Sequence, residues 1–207
     1  VGSEMCIRDS FSIPGTGSSG HLVGGILLSA ILGPWAALIT LASVLVIQCL
    51  AFADGGFMAL GANILNMAVF SCLVAYPLIF KPLMKPDASP GRILAASVLA
   101  SVAGLELGAL AVTVETEASG ITALPMGQFL LFMLPIHLFI GIGEGLATAA
   151  VIYAVQRYKP ELLSGVCRRK PAGKRKFGKA LAAIALAALL IGGSFSWVAS
   201  SDPDGLE

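Results

Sequence analysis

The chain has 207 residues, 57% of them hydrophobic and 12% charged, against about 45–50% apolar and about 25% charged in a soluble domain. That balance excludes a water-soluble globule, a disordered chain, a disulfide framework and a nucleic-acid binder, and places the protein in a bilayer. The formal net charge of +1 conceals a strong asymmetry along the chain.

Residues 1–10, VGSEMCIRDS, lack the apolar core of a signal peptide and read as non-native sequence joined to a fragment. We expect a bundle whose N-terminal part is missing and whose C-terminal module is cut short. A Gly- and Ser-rich stretch, Ile13-Pro14-Gly15-Thr16-Gly17-Ser18-Ser19-Gly20, cannot be a lipid-facing helix. It reads as non-helical backbone lining a cavity. It ends at His21.

Residues 22–53 carry no charge, but Gly33-Pro34 divides them, because proline breaks or starts a helix. A piece over 22–32 rises only about 17 Å at 1.5 Å per residue, roughly half a membrane, and a full span over 34–53 follows. With Gly33-Pro34 at one surface, His21 falls near the midplane, where broken helices build transporter sites. Three further stretches have the length of a span. Residues 55–80 are uncharged, 93–114 contain only Glu106, and 118–156 contain only His137 and Glu144. A fifth span is expected over residues 180–200, also uncharged. The expected fold is an all-α polytopic membrane protein: a bundle of about five full spans plus a short half-helix.

The basic residues set the expected orientation. Arg8 is N-terminal, Lys81, Lys85 and Arg92 share one loop, and the other nine of the 13 lie within residues 157–179. Asp54, the pair Glu115 and Glu117, and the group Asp202, Asp204 and Glu207 occupy the alternate connections. The positive-inside rule puts loops 81–92 and 157–179 in the cytoplasm of a bacterial or archaeal cell. The Asp54 turn, the loop over 115–125 and the C-terminus then face out. The basic run reads as a stop-transfer cluster touching anionic lipid rather than a nucleic-acid patch. Its Gly165, Pro171 and Gly173 mark a joint between modules.

Cys6, Cys49, Cys72 and Cys167 show no C-x-x-C spacing and read as small core residues. There is no P-loop, so ATP hydrolysis would belong to a partner, and no H-E-x-x-H of a zinc protease. Gly17-Ser18-Ser19-Gly20 fits the G-x-S-G of rhomboid-like serine proteases, with His137 as a base. A serine protease should open a full helix there, however, and a proline-broken half-helix follows. A membrane scaffold without substrate is the third class.

Ionisable groups inside a membrane are costly and usually functional. His21 opens a half-helix. His137 and Glu144 are seven apart, on one helix face about 10 Å apart along the axis, and Gly141, Gly143 and Gly145 beside them allow close packing. Glu106 sits mid-span within reach of His137. Asn63 and Asn66, three apart, share a face at the outer start of a span, placed to orient an imidazole or a metal-bound water. Asn63 alternatively caps the helix. These groups equally serve as a buried polar cluster holding helices together. Imidazole nitrogen suits Ni, Co, Cu or Zn rather than Mg or Ca.

At these motifs the chain resembles the substrate-binding (S) component of energy-coupling-factor cobalt/nickel transporters, the CbiM/NikM type. The residues that carry the resemblance are Ser19–Gly25, Leu32-Gly33-Pro34-Trp35-Ala36-Ala37, Phe52-Ala53-Asp54-Gly55-Gly56, the asparagine pair within Gly61–Met67, and His137 through Ile142-Gly143-Glu144. The C-terminal Ser201-Asp202-Pro203-Asp204-Gly205-Leu206-Glu207 is similar to the PDGLE module, fused to such proteins or supplied as a separate small membrane subunit. The implied domains are a membrane bundle over 11–158, a basic linker over 159–179 and the first helix of a PDGLE module over 180–207.

The resemblance implies a non-enzyme that captures Co2+ or Ni2+ outside, for cobalamin synthesis or nickel enzymes. A transmembrane coupling protein and two ATPase subunits then drive its reorientation. It also implies His21 as metal ligand, with Asn63, Asn66, Glu106, His137 and Glu144 in support. The family's Met-His start, which supplies further ligands, has no counterpart here, since Met5 is followed by Cys6. Cobalt and nickel both accept imidazole and amide nitrogens, so these residues do not choose between them.

Overall fold

The computed structural model describes residues 10–13, 18–52, 56–85, 88–120 and 125–163. The expected fifth span and the PDGLE segment lie outside the described residues.

Two short strands, β1 (Ser10–Ile13) and β2 (Ser18–His21), pair antiparallel, with Ser10 opposite His21. The expected non-helical approach to His21 is thus a hairpin arm appended to an otherwise helical bundle. Its paired strands satisfy backbone groups that a helix would otherwise have satisfied.

The half-helix is α1 (Gly25–Leu32), and the full span is α2 (Pro34–Phe52). The division falls at Gly33-Pro34 as expected. Gly33 has φ 86°, a conformation open to glycine at little cost. Its N–H donates to the Ser29 carbonyl, closing α1, and its own carbonyl accepts from Ala37, opening α2. One residue therefore ends one helix and caps the next, and Pro34 follows at a position where its missing N–H costs nothing.

The next span begins as α3 (Gly56–Asn63), passes into a π-helical segment (Ile64–Phe80) and ends as α4 (Lys81–Leu83). The Lys81 N–H reaches back five residues to the Tyr76 carbonyl, the bond that defines the wider helix. Pro77 lies inside, where it lacks an N–H for the narrower pattern. Long π-helices are rare, and nothing in an apolar run announces one.

Helix α5 (Pro90–Ser119) starts at Ser89, whose hydroxyl accepts the Arg92 N–H, with Pro90 in the first helical position. It ends at Gly120. Glu115 and Glu117 therefore lie in its last turns. The outward loop expected to start at residue 115 starts later, because a carboxylate at a helix end can be tolerated where the span leaves the apolar layer. Helix α6 (Met126–Tyr158) follows, then a short 3-10 turn over Pro160–Leu162.

Four helical stretches among the described residues are long and apolar enough to cross a membrane: Pro34–Ala51, Phe57–Leu83, Pro90–Ser119 and Met126–Tyr158. Their outward faces carry Trp35, Ile39, Leu50, Met58, Leu78 and Phe139, all more than 60% exposed, a surface that only lipid covers favourably. Thr40 and Ser43 on α2 turn their hydroxyls onto the carbonyls of Ala36 and Ile39, so that neither enters the bilayer unbonded.

The interior combines small and polar side chains at the helix contacts with apolar clusters. Helix α5 is central, packed against the π-helical segment on one side and α6 on the other. Gly104 and Gly108 meet Ser71 and Asn66 of the π-helical segment. Gly141 and Gly145 of α6 meet the backbone of Val102 and Val98. Without a hydrophobic driving force in lipid, such close approach supplies the association energy. Gly143, expected to share in this seam, has nothing within 4 Å, because it points off the seam. At one end Ile26, Tyr76, Phe80, Ile93 and Ile152 form an apolar cluster, with Tyr76 and Phe80 stacked at 5.4 Å. Cys49 and Cys72 are free thiols in the packed interior, as expected of small core residues.

Candidate metal-binding site

His21 is the last residue of β2 and half-buried. The hairpin arm brings it to α6. Gly20 is buried against Ile136, His137 and Ile140, and a Cβ added there would lie 3.8 Å from Nε2 of His137 and overlap the Ile140 side chain. A side chain here would have to push the end of Ile140 aside, because the strand packs closely on the helix. The two imidazoles are close enough for charge on one to be felt at the other.

His137 is only 7% exposed. Its Nδ1 lies 2.8 Å from the Met133 carbonyl oxygen one turn earlier. A carbonyl only accepts, so Nδ1 carries the proton and Nε2 presents its lone pair. That lone pair faces the strand that ends in His21. Pinning of one ring nitrogen by a backbone carbonyl is the usual arrangement of a metal-binding imidazole.

Glu144 is 5% exposed. It accepts the Val23 N–H at 2.8 Å, and the Gly24 N–H faces the same carboxylate. Gly24, with φ 70°, precedes α1, and its carbonyl accepts the Leu28 N–H. The carboxylate therefore binds the amino end of the half-helix across 121 residues of chain, a place that dipole and unpaired N–H groups make favourable to negative charge.

Asn66 is buried and its amide donates to Glu115 at 2.8 Å. Its Oδ1 is buried without a partner among the described residues. Glu115 is the residue that reading the charges as loop markers missed. A buried asparagine in an apolar span needs a partner, and the nearest carboxylate at the end of the neighbouring span was the available signal.

Asn63 is half-buried and mid-helix, with φ −60° and ψ −42° and no capping hydrogen bond. The helix widens immediately after Asn63, so a three-residue step there turns through a different angle than in an α-helix. The register of the α5–α6 seam, Val102 with Gly141 and Val98 with Gly145, sets half-buried Glu106 level with His137. Glu106 makes no hydrogen bond or ion pair among the described residues. No three His, Cys, Asp or Glu side chains converge among those residues, so the nitrogen donors brought together are His21 and His137. We expect Asn66→Ala to cost about 1 kcal/mol, a typical worth for such a bond between membrane helices. Thermal unfolding in detergent should register a drop of roughly 2–4 °C.

Residues 4–162 match the family model described as the cobalt uptake substrate-specific transmembrane region, CbiM. The chain belongs to the CbiM family. Residues 178–207 match the PDGLE domain. The fused nickel transport protein NikMN of Rhodobacter capsulatus is 34% identical over 186 residues, covering 84% of this chain and 53% of that protein. The cobalt transport protein CbiM of Thermosipho melanesiensis is 32% identical over 168 residues, covering 76% of this chain and 67% of that one. The chain spans about half the length of the fused nickel transport proteins it matches. A crystal structure described as that of a transition metal transporter superposes with a TM-score of 0.63 at 33% identity, covering 75% of this chain and 73% of that one. These relatives are described as metal transport proteins, and the four apolar helices together with the CbiM match make this chain a multi-pass membrane protein. The serine protease reading finds no support among them.

Proposed function

We propose that this chain is the metal-capturing component of an energy-coupling-factor transporter and takes Co2+ or Ni2+ from the outer side of the membrane. The observation that carries this reading is His21 at the end of β2, next to Gly20, which packs on a buried His137 whose Nδ1 is pinned by the Met133 carbonyl. His21 is the protein's ligand to the ion. His137 supplies or orients a second nitrogen. Asn66, with an unpartnered Oδ1, accepts a hydrogen bond from a metal-bound water, while Asn63 and Glu106 line the approach.

The positive-inside rule supports loops 81–92 and 157–179 in the cytoplasm, which puts the end of α5 that bears Glu115 outside. The bundle over 11–158 binds the ion, residues 159–179 link it along the inner leaflet, and 180–207 begin the PDGLE module. With no P-loop in the sequence, energy comes from a transmembrane coupling protein and ATPase subunits. The ion taken up serves cobalamin synthesis or nickel enzymes.

The test is uptake of radiolabelled Ni2+ and Co2+ by cells lacking their own importers and expressing the intact protein with its coupling protein and ATPases. Accumulation should require all the subunits, which should also co-purify with this chain. Accumulation that persists with a catalytically dead ATPase would overturn the energy-coupling reading. No accumulation of either ion from the full complex would leave a scaffold.

A further inference from the structure

The established family membership says nothing of how the segment bearing His21 is held. That segment is a strand end followed by a three-residue link to a helix of only eight residues. Helices this short are marginal on their own, and Gly24 adds backbone freedom that must be lost on ordering. Something outside the segment must fix it if an imidazole on it is to meet a metal ion in one geometry.

Helix α6 touches the segment on both sides of His21. Before it, Gly20 packs against His137 and Ile140. After it, the Val23 and Gly24 N–H groups meet the Glu144 carboxylate. No cation pairs with Glu144 among the described residues. A buried carboxylate is an expensive device. The Ser101 hydroxyl of α5 also faces it, and its bonds to the Val23 and Gly24 N–H groups hold the turn between His21 and α1.

The geometry points to Glu144 as the positioning residue of the metal site: its carboxylate anchors the backbone two residues after His21 to the helix that carries His137, so that both imidazoles ride on one rigid element. Glu144 does not touch the ion. This inference rests on the reading of His21 as a metal ligand, and it adds that the affinity of His21 depends on hydrogen bonds made elsewhere.

The test measures Ni2+ binding to the purified intact protein by calorimetry, and the visible absorption of bound Co2+, in wild type, Glu144→Ala, Glu144→Gln and His21→Ala. Loss of a group that merely orients a ligand costs about 10–100-fold in metal affinity. Glu144→Ala should fall in that range and shift the Co2+ bands, because the imidazole approaches differently. Glu144→Gln keeps a carbonyl acceptor of the same reach and should recover most of the affinity and the wild-type bands.

Wild-type affinity and bands in a folded Glu144→Ala protein would overturn the inference while His21→Ala still loses binding. Equal loss in Gln and Ala would overturn it too, since charge rather than the acceptor would then matter. If Glu144→Ala does not fold, Glu144→Gln decides. Slow amide exchange at Val23 and Gly24 with near-wild-type affinity supports the anchor, and fast exchange there with wild-type affinity overturns it. Unchanged binding in His21→Ala marks failure of the metal reading itself.

Discussion

His21→Ala in the intact protein is expected to lower Ni2+ and Co2+ affinity by more than about 100-fold, beyond the range seen when only an orienting partner is lost. The residue is half-buried at the end of a strand and its side chain is no pillar of the interior, so the fold should survive its truncation. Val23, Gly24 and Gly20 keep their contacts to α6, because these are made through backbone or through absence of a side chain. Binding and stability should therefore separate: affinity collapses while the unfolding temperature moves by only a few degrees. His137→Ala should separate less cleanly. Its ring is buried and bonded to Met133, so truncation leaves both a cavity and a weakened site. Calorimetric titration with each ion, beside thermal unfolding in the same detergent, checks both variants. Wild-type affinity of His21→Ala for both ions would remove His21 from the site.

Much of this architecture is legible in the sequence because a bilayer leaves few choices. A stretch of about 20 uncharged residues must be a helix there, and Gly33-Pro34 must interrupt one. The half-helix, its junction with α2 and the polar residues facing inward all follow from those two rules. What escapes is whatever depends on backbone rather than side chains. The partners of Glu144 are the amides of Val23 and Gly24, and an amide leaves no mark in a sequence. The widening after Asn63 is likewise silent, since the residues of Ile64–Phe80 are those of any apolar span with one proline. A three-residue spacing across that point therefore does not carry the α-helical angle. Asn66 found its partner in Glu115 at the far end of α5, a residue whose charge had suggested a loop. Imidazoles were easier to find, because a lone titratable group in a span has few reasons to be there.

Gly145→Leu is expected to prevent the bundle from assembling. A Cβ at this position would overlap the Cα of Val98 and lie 2.9 Å from its N atom. The obstacle is backbone on the central helix, not the movable end of a side chain. Helices α5 and α6 would have to separate along a seam where a Cβ on Gly141 would likewise lie 2.8 Å from the Cα of Val102. Even Gly145→Ala should cost about 1–3 kcal/mol, the usual penalty of overpacking, which lowers the unfolding temperature by roughly 2–4 °C per kcal/mol in a protein of this size. Leucine adds three further carbons to the same collision. Gly143→Ala is the control. It is on the same helix two residues away, with nothing within 4 Å, and should be neutral or slightly stabilising through better helix propensity. Because His137 is eight residues from Gly145 on this helix and Glu144 is its neighbour, opening the seam would also displace both contacts that hold the His21 segment. Metal binding should fail together with folding in Gly145→Leu, whereas in His21→Ala it fails alone. Monodispersity and thermal unfolding of the three glycine variants in detergent measure the effect, and a Gly145→Leu protein as stable as wild type would show that the α5–α6 seam does not close as described.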